Sequence, residues 1–394
     1  MPANRLAQIV LLPELKLEEI VAPNRHWARL VTKKVSQMEV CPKCASPSHS
    51  VYDQRTVVVK DAPMRAQMVF LEIKKRRFFC KNCKKPFTES VPGIVKGQRT
   101  TQRFKRSILW ACEHFVDLEK VQRTYRVSAG YVFKTLYDQL ELKRRTRLYP
   151  WPSTIGVDEH SFRRNKILGC TEFASIIVDY NNKRVMEVVE GKTTAALSMQ
   201  LNTIEGRDNV KNVCLDLCDP FKNWAREFFP QAKIVADKFH VLRLITPALL
   251  RKRYEITGTR ADSRARRLLT MSSHKLDYWD RRALLDYLTK YPDLNELYHW
   301  KEGIHAFYRI KGANRAALTF TRMTDAMANS TLPEIKTLRK TFLKWRNEIL
   351  AYFETGITNG RTEGYNGLAK LVQKRAFGYK NFRNYRLRLL SACA

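Results

Sequence analysis

Hydrophobic positions along this chain change their spacing several times, and each change predicts a different kind of structure. Two β-rich runs, Thr56 to Lys60 and Met68 to Phe79, come first. From 100 to 145 the spacing becomes helical. Leu118, Val121 and Tyr125 share one face, the pattern breaks at Val127, and Val132 and Leu136 resume it with Ser128 placed as an N-cap. This predicts a helix, a turn and a second helix. Two short packed helices read the same way as a helix-turn-helix. In the latter case Ala129, Gly130, Tyr131 and Lys134, just past the cap, face the groove of DNA.

Pro150 and Pro152 separate this segment from one of mixed periodicity. Ile155 to Asp158 is a short apolar strand ending in acid. Phe173 to Asp179 and Arg184 to Val189 are strands joined through Asn181-Asn182. Thr194, Leu197, Leu201 and Ile204 keep helical spacing, Val213 to Leu217 is a strand, and Phe221, Trp224, Ala225 and Phe228 form an amphipathic helix face. Ile234 to Ala236 closes the set, followed by a basic helix. The order βββαβαβα, three antiparallel strands and then parallel crossovers, is an α/β layout of ribonuclease-H-like type. From 245 to 355 strand signal disappears. Ile335, Leu338, Phe342, Trp345 and Ile349 repeat at spacings of three and four, and Leu294, Leu297 and Tyr298 begin another face, so this block is all helical.

Composition narrows the class. Lys and Arg number 72 against 38 Asp and Glu, a formal charge of +34, in 394 residues that are 44% hydrophobic and 11% aromatic. That apolar content excludes a disordered polycation, and the charge calls for a polyanionic partner, of which nucleic acid is the expected one. A basic ribosomal or chromatin-like binder is usually shorter and poorer in rings. No stretch approaches the ~20 apolar residues of a membrane span. The apolar run Ala7 to Leu12 is shorter than a signal-peptide core, so a cytoplasmic, nucleoid-associated protein is expected.

Four of nine cysteines form two identical pairs, Cys41-Pro-Lys-Cys44 and Cys80-Lys-Asn-Cys83. Each CxxC turn points two thiolates at one ion, and the two turns together make a closed Zn²⁺ site of the zinc-ribbon kind. The β-rich runs between them bring the second pair back beside the first. Disulfides do not suit a chain without a secretion signal. His49 offers an alternative ligand or a surface histidine. In the last stretch Lys370, Lys374, Arg375, Lys380, Arg383, Arg386 and Arg388 interleave with Phe377, Tyr379, Phe382 and Tyr385. That mixture suits phosphate contacts with base stacking, or equally a solvated basic helix face.

Amid this positive charge, acids at strand ends stand out. Asp158 follows Ile-Gly-Val and Asp216 follows Val-Cys-Leu. In the expected sheet their strands are neighbours, so both carboxylates emerge together, where divalent metal for phosphodiester chemistry would bind. Solvated strand ends are the plain alternative. Asp219 before Pro220 reads as an N-cap with Pro at N1, although it lies close enough to Asp216 to compete with it. Asp237 can cap the next helix, with His240 three residues on, and Glu159 should face away from Asp158. A third acid is sought on a closing helix. Asn359 can cap one, Glu363 lies one turn in, and Asn366 shares nearly the same face; an exposed first-turn glutamate reads identically.

These motifs together resemble a known family. The CxxC pairs, the helix-turn-helix, Gly156-Val-Asp-Glu-His160, Asp237-Lys-Phe-His240, Thr358-Asn-Gly-Arg-Thr-Glu-Gly-Tyr-Asn-Gly367 and Lys374-Arg-Ala-Phe-Gly-Tyr-Lys-Asn-Phe382 are similar, in order and over nearly the whole chain, to the ISL3 family of bacterial insertion-sequence transposases. The resemblance implies a DDE transposase that binds its element's ends and catalyses metal-dependent cleavage and strand transfer. It places a Mg²⁺ (or Mn²⁺) triad on Asp158, Asp216 and Glu363, with Asp237 and His240 as core support. It implies a zinc ribbon within 1–95, a helix-turn-helix at 96–150, a ribonuclease-H-like core at 151–245 and 356–394, and an all-helical insertion at 246–355. Double-stranded DNA, as terminal inverted repeats and as target, is the implied partner of a homodimer. No nucleotide-binding glycine loop appears. A nuclease of the same fold and a domesticated DNA-binding regulator are the rival readings; three converging acids argue against the regulator.

Overall fold

In the computed structural model, which describes residues 11–115, 117–146, 149–164, 169–258 and 263–393, the chain divides into two compact units between residues 141 and 142. In the first, β1 (Leu15–Asn24) and β2 (Trp27–Lys34) form a hairpin, and β3 (Glu39–Val40) pairs with β4 (Pro47–Ser48). The two β-rich runs grow into a longer hairpin, β5 (Val51–Met64) and β6 (Gln67–Cys80), with β7 (Lys85–Thr88) on the far end of β6. Parallel pairing of β2 with β6 joins the hairpins into one sheet. Alternation sends Val59, Val69, Leu71 and Ile73 into a core with Leu11, Leu12 and Leu30. Residues Ala7 to Val10 of the N-terminal apolar run lie outside the described residues.

Among the described residues three helices follow: α1 (Gln102–His114), α2 (Leu118–Tyr125) and α3 (Ala129–Arg145). Thr101 caps α1 and Asp117 caps α2, each accepting the N3 amide. Arg126, in the left-handed region at φ 48°, turns the chain out of α2. Ser128 Oγ accepts from Tyr131 N at 3.3 Å at the start of α3, as its position predicts.

The second unit is built on β8 (Thr154–Arg164), β9 (Thr171–Asp179) and β10 (Arg184–Glu190), then α4 (Thr194–Leu201), β11 (Asn212–Leu215), α5 (Asp219–Phe228), β12 (Lys233–Ala236) and α6 (Lys238–Arg243). Its sheet has the order β10-β9-β8-β11-β12. The first three strands are antiparallel, while β11 runs parallel to both β8 and β12. The helix α4 stops at Leu201, so Ile204 packs from a turn rather than from the helix.

Both faces of this sheet are covered, which is why β9 reads as a continuous apolar run. Ile177 points to one side, into a large core shared with Trp224 and Phe228 of α5; Ile176 and Val178 point to the other, against Ala369, Tyr385 and Leu389. Ile176, Ile177 and Val178 are fully buried, and each contributes about 1.5–3 kcal/mol.

Among the described residues, seven α-helices come between α6 and the close of the fold: α7 (Thr246–Thr257), α8 (Ser263–Thr270), α9 (Tyr278–Lys290), α10 (Pro292–Phe307), α11 (Ala313–Ala328), α12 (Pro333–Lys344) and α13 (Arg346–Thr355). The Ile335 to Ile349 stripe is buried as expected, but the helix breaks at Trp345 (φ −109°). Finally α14 (Gly360–Arg375) and α15 (Phe382–Ala392) cover the second face of the sheet. Contact is closest at Gly156 of β8, where a Cβ would lie 2.3 Å from Thr362 Oγ1 of α14 and 2.5 Å from the Tyr180 ring. Only glycine lets this helix settle onto the strand.

Candidate active site

The site forms where parallel pairing stops. β11 pairs with β8 only up to Leu215 opposite Val157, so the next residues, Asp216 and Asp158, leave the ladder together. Asp158 does not end its strand, as the sequence suggested: β8 runs on to Arg164, because β9 is long enough to pair beyond the end of β11. Glu159 turns the other way and pairs with Lys192 at 3.0 Å.

Burial, then the nearby Asp216 carboxylate, push the Asp158 carboxyl up to about 8. Its Oδ1 accepts from Glu159 N at 2.7 Å and its Oδ2 accepts from the Asn366 amide. Asp216 Oδ1 accepts from Asn359 Nδ2 at 3.1 Å and lies 3.0 Å from His240 Nδ1. The same histidine nitrogen is 2.9 Å from Asp237 Oδ2, and these two carboxylates, Asp216 first, push the imidazole up to about 10. Asp237 caps α6 as predicted and also accepts from Asn359 N at 2.9 Å. Burial works against its ionisation, but His240 and these amides outweigh it and hold the carboxyl below its ordinary range.

Two capping expectations need correction. Cys218, not Asp219, is the N-cap of α5, and Asp219 is the first helical residue, ion-paired to Lys344. The ion pair gives Asp219 an outlet on the surface, since its side chain is half exposed. Asn359 does occupy the N-cap of α14, but its side chain makes no cap bond. That amide is fully buried and spent on Asp216 instead. The Tyr180 hydroxyl, 2.9 Å from Asn359 Oδ1 and 3.0 Å from Thr362 Oγ1, fixes which way the amide points. An asparagine before a helix reads as a cap, so nothing in the sequence marked Asn359 or Tyr180 for this role.

Glu363 sits half-buried in the first turn of α14. Burial and the Asp237 carboxylate raise its carboxyl above the usual range. Among the described residues, Asp216, Asp237 and His240 bring ligand atoms within 4.8 Å of one another, and Glu363 lies outside that tight set.

The four cysteines form the other cluster among the described residues. Cys41 Sγ is 4.0 Å from Cys83 Sγ and Cys44 Sγ is 3.6 Å from Cys80 Sγ. Four sulfurs at about 2.3 Å from one zinc stand about 3.8 Å apart, so the set fits. His49 is exposed and takes no part.

Lys134, Lys370, Lys374, Arg375, Lys380 and Arg383 are exposed. Tyr131 is half-buried, with its hydroxyl 3.0 Å from Thr100 Oγ1 and its ring against Phe104. Three of the four rings in the last basic stretch are not open for stacking, because Tyr379, Phe382 and Tyr385 pack with Phe162 on the sheet. Phe377 is 89% exposed.

An acid pair at the end of a parallel strand pair, a third acid on a helix laid across it and a four-cysteine knuckle upstream define a carboxylate-centred α/β protein with a zinc ribbon. Residues 155–389 match the DDE transposase family ISL3, and residues 37–83 match the zinc finger of the transposases of IS204, IS1001, IS1096 and IS1165. The first match spans more than half of the chain, which therefore belongs to the ISL3 family of transposases and is a DNA transposase. It is similar to the transposase for insertion sequence element IS1001 of Bordetella parapertussis, at 21% identity over 91% of this chain and 90% of that one. The transposase for IS1557 of Mycobacterium tuberculosis H37Rv is 23% identical over 79% of this chain and 76% of its own. No helix among the described residues is long and apolar enough to cross a membrane.

Proposed function

We propose that the second unit is a ribonuclease-H-like core whose triad, Asp158, Asp216 and Glu363, holds Mg²⁺ or Mn²⁺ for cleavage and strand transfer at the ends of the protein's own element. The register that leaves Asp158 and Asp216 side by side carries this reading. The donor set fits a divalent cation. Two adjacent carboxylates, Asp158 buried and Asp216 partly buried, share a site where burial and like charge favour a proton on Asp158, and a hard cation takes oxygen ligands of this kind. When bound, the metal would polarise the scissile phosphate and ease loss of a proton from the attacking oxygen, first of water and then of a DNA 3′-hydroxyl.

The protein's own groups prepare that step. Asn366 and Asn359 hold the two aspartates in one rotamer, Tyr180 holds Asn359, and His240 with Asp237 balances charge behind Asp216. The zinc ribbon and the α2–turn–α3 helix-turn-helix, with Lys134, bind the terminal inverted repeats. Lys370, Lys374, Arg375, Lys380 and Arg383 contact phosphates of the repeats or of the target. Two ends must be joined, so a homodimer on DNA is the working form.

Incubation of the purified chain with duplexes carrying the element's ends, in Mg²⁺ and in EDTA, tests the reading. Cleavage and joining of pre-cut ends should appear only with the cation and be lost in Asp158→Asn. Joining that survives in Asp158→Asn would overturn the assignment, and cutting without joining would reduce the protein to a nuclease.

A further inference from the structure

Helix α14 ends in a closure that normally contains glycine. Gly378 N donates to Gln373 O at 2.9 Å and Phe377 N donates to Lys374 O at 3.1 Å, the paired bonds of a Schellman motif. The left-handed residue of that motif is Phe377, at φ 53°. A bulky side chain is disfavoured in that conformation, where glycine is not. The ring gains no packing in return, for at 89% exposure it is the most exposed large hydrophobic side chain among the described residues. Its neighbours behave differently: Tyr379 packs on Tyr385 with ring centroids 5.4 Å apart.

The backbone that carries the ring is tied down. Gln373 Nε2 donates to Phe162 O at 3.1 Å, Arg163 Nη1 donates to Lys380 O at 2.5 Å, and Asn381 caps α15. Both anchors lie on β8, the strand of Asp158. The helix that ends at this turn carries Glu363 in its first turn, about 20 Å away at 1.5 Å per residue. The surroundings are cationic: Lys374 and Lys380 are exposed, and no acid follows Glu363 in the sequence. An uncovered ring on a strained, tied-down turn in a basic field fits a polyanion that also offers π faces.

We propose that Phe377 is a stacking wedge that takes up an unpaired base of the bound DNA, at a fixed distance from the carboxylates. This rests on the DNA-cutting role proposed above and assigns one residue its recognition of opened duplex. Aromatic stacking on a base is worth about 1–3 kcal/mol, or about 5- to 150-fold in affinity.

The test uses the full chain and two probes, a blunt duplex and the same duplex with a short unpaired stretch at one end containing 2-aminopurine. The parent should prefer the forked probe by a factor in that range and change the fluorescence of the analogue. Phe377→Ala should bind blunt duplex as the parent does but lose the preference and the fluorescence change, and Phe377→Trp should keep both. Phe377→Gly should lose the preference while raising Tm by about 2–4 °C, the gain expected from relieving the backbone strain in a unit of this size. A ring serving only the fold would give a lower Tm instead, and that result overturns the proposal. So does a fork preference that survives Phe377→Ala, or a change in oligomeric mass with the preference intact, which would make the ring a contact between copies. Metal-dependent cleavage is read separately: if it persists while the fork preference proves independent of Phe377, stacking alone falls. If the parent binds neither probe, the DNA-cutting reading falls with it.

Discussion

In the proposed triad, Asp158 would serve function at a cost in stability. In metal-free protein the folded state keeps its proton up to about pH 8, while an unfolded aspartate releases it near 3.8. The folded state therefore binds more protons between those values, and stability falls as pH rises through that window. Thermal melts in EDTA should show this slope in the parent and a flatter one in Asp158→Asn, which should melt higher at pH 7.5 and level with the parent near pH 4. Mg²⁺ at pH 7.5 should raise Tm in the parent and much less in the variant. Glu363→Gln keeps size and helix propensity but removes the charge; cleavage should drop by several orders of magnitude in a gel assay while DNA affinity holds or rises. Glu354 of α13, ion-paired to Lys233 of β12, is the control, and Glu354→Gln should cut as the parent does.

At the scale of elements, the site depends on how closely α14 lies on β8. Gly156→Ala would drive a methyl into Thr362 and Tyr180, and the helix must move. Asn366 and Asn359 would then lose their grip on the two aspartates. The expected result is a loss of about 1–3 kcal/mol of stability, and a fall in cleavage out of proportion to it, with duplex binding retained. Calorimetry beside a cleavage time course checks both. The zinc ribbon depends in the same way on the β5–β6 hairpin, which returns Cys80 to Cys44. Cys41→Ser with Cys80→Ser should release about one zinc per chain, measured by metal analysis, and lower the affinity for terminal repeats.

For the molecule as a whole, a charge of +34 makes DNA affinity a strong function of salt. Each phosphate contact adds about −0.9 to the slope of log K against log salt. Lys374→Gln with Lys380→Gln should therefore flatten that slope by about 2 and weaken binding to all sequences alike, in anisotropy titrations across salt. Lys134→Ala should instead change the ratio of terminal to random DNA. A Lys134 variant with the parent's ratio would remove α3 from sequence reading.

Local chemistry was legible in the sequence because it is written in short spacings. Two CxxC turns declare a zinc knuckle, apolar alternation declares the strands, and the Asp237-to-His240 cap needs only its own helix. Asp158 and Asp216 could be picked because an acid at the end of an apolar run is local information too. What tertiary structure decided are the relations between distant segments. The unequal lengths of β9 and β11 place Asp158 inside its strand yet at the edge of the parallel pairing. The descent of α14 onto Gly156 buries Asn359 and diverts its amide from the cap to Asp216. Packing of α15 on the sheet takes Tyr379, Phe382 and Tyr385 out of the basic surface and leaves the Phe377 ring exposed on it. In each case a side chain with two chemically sound uses was assigned one by the neighbour that arrived from elsewhere in the chain, and no spacing along the sequence carries that choice.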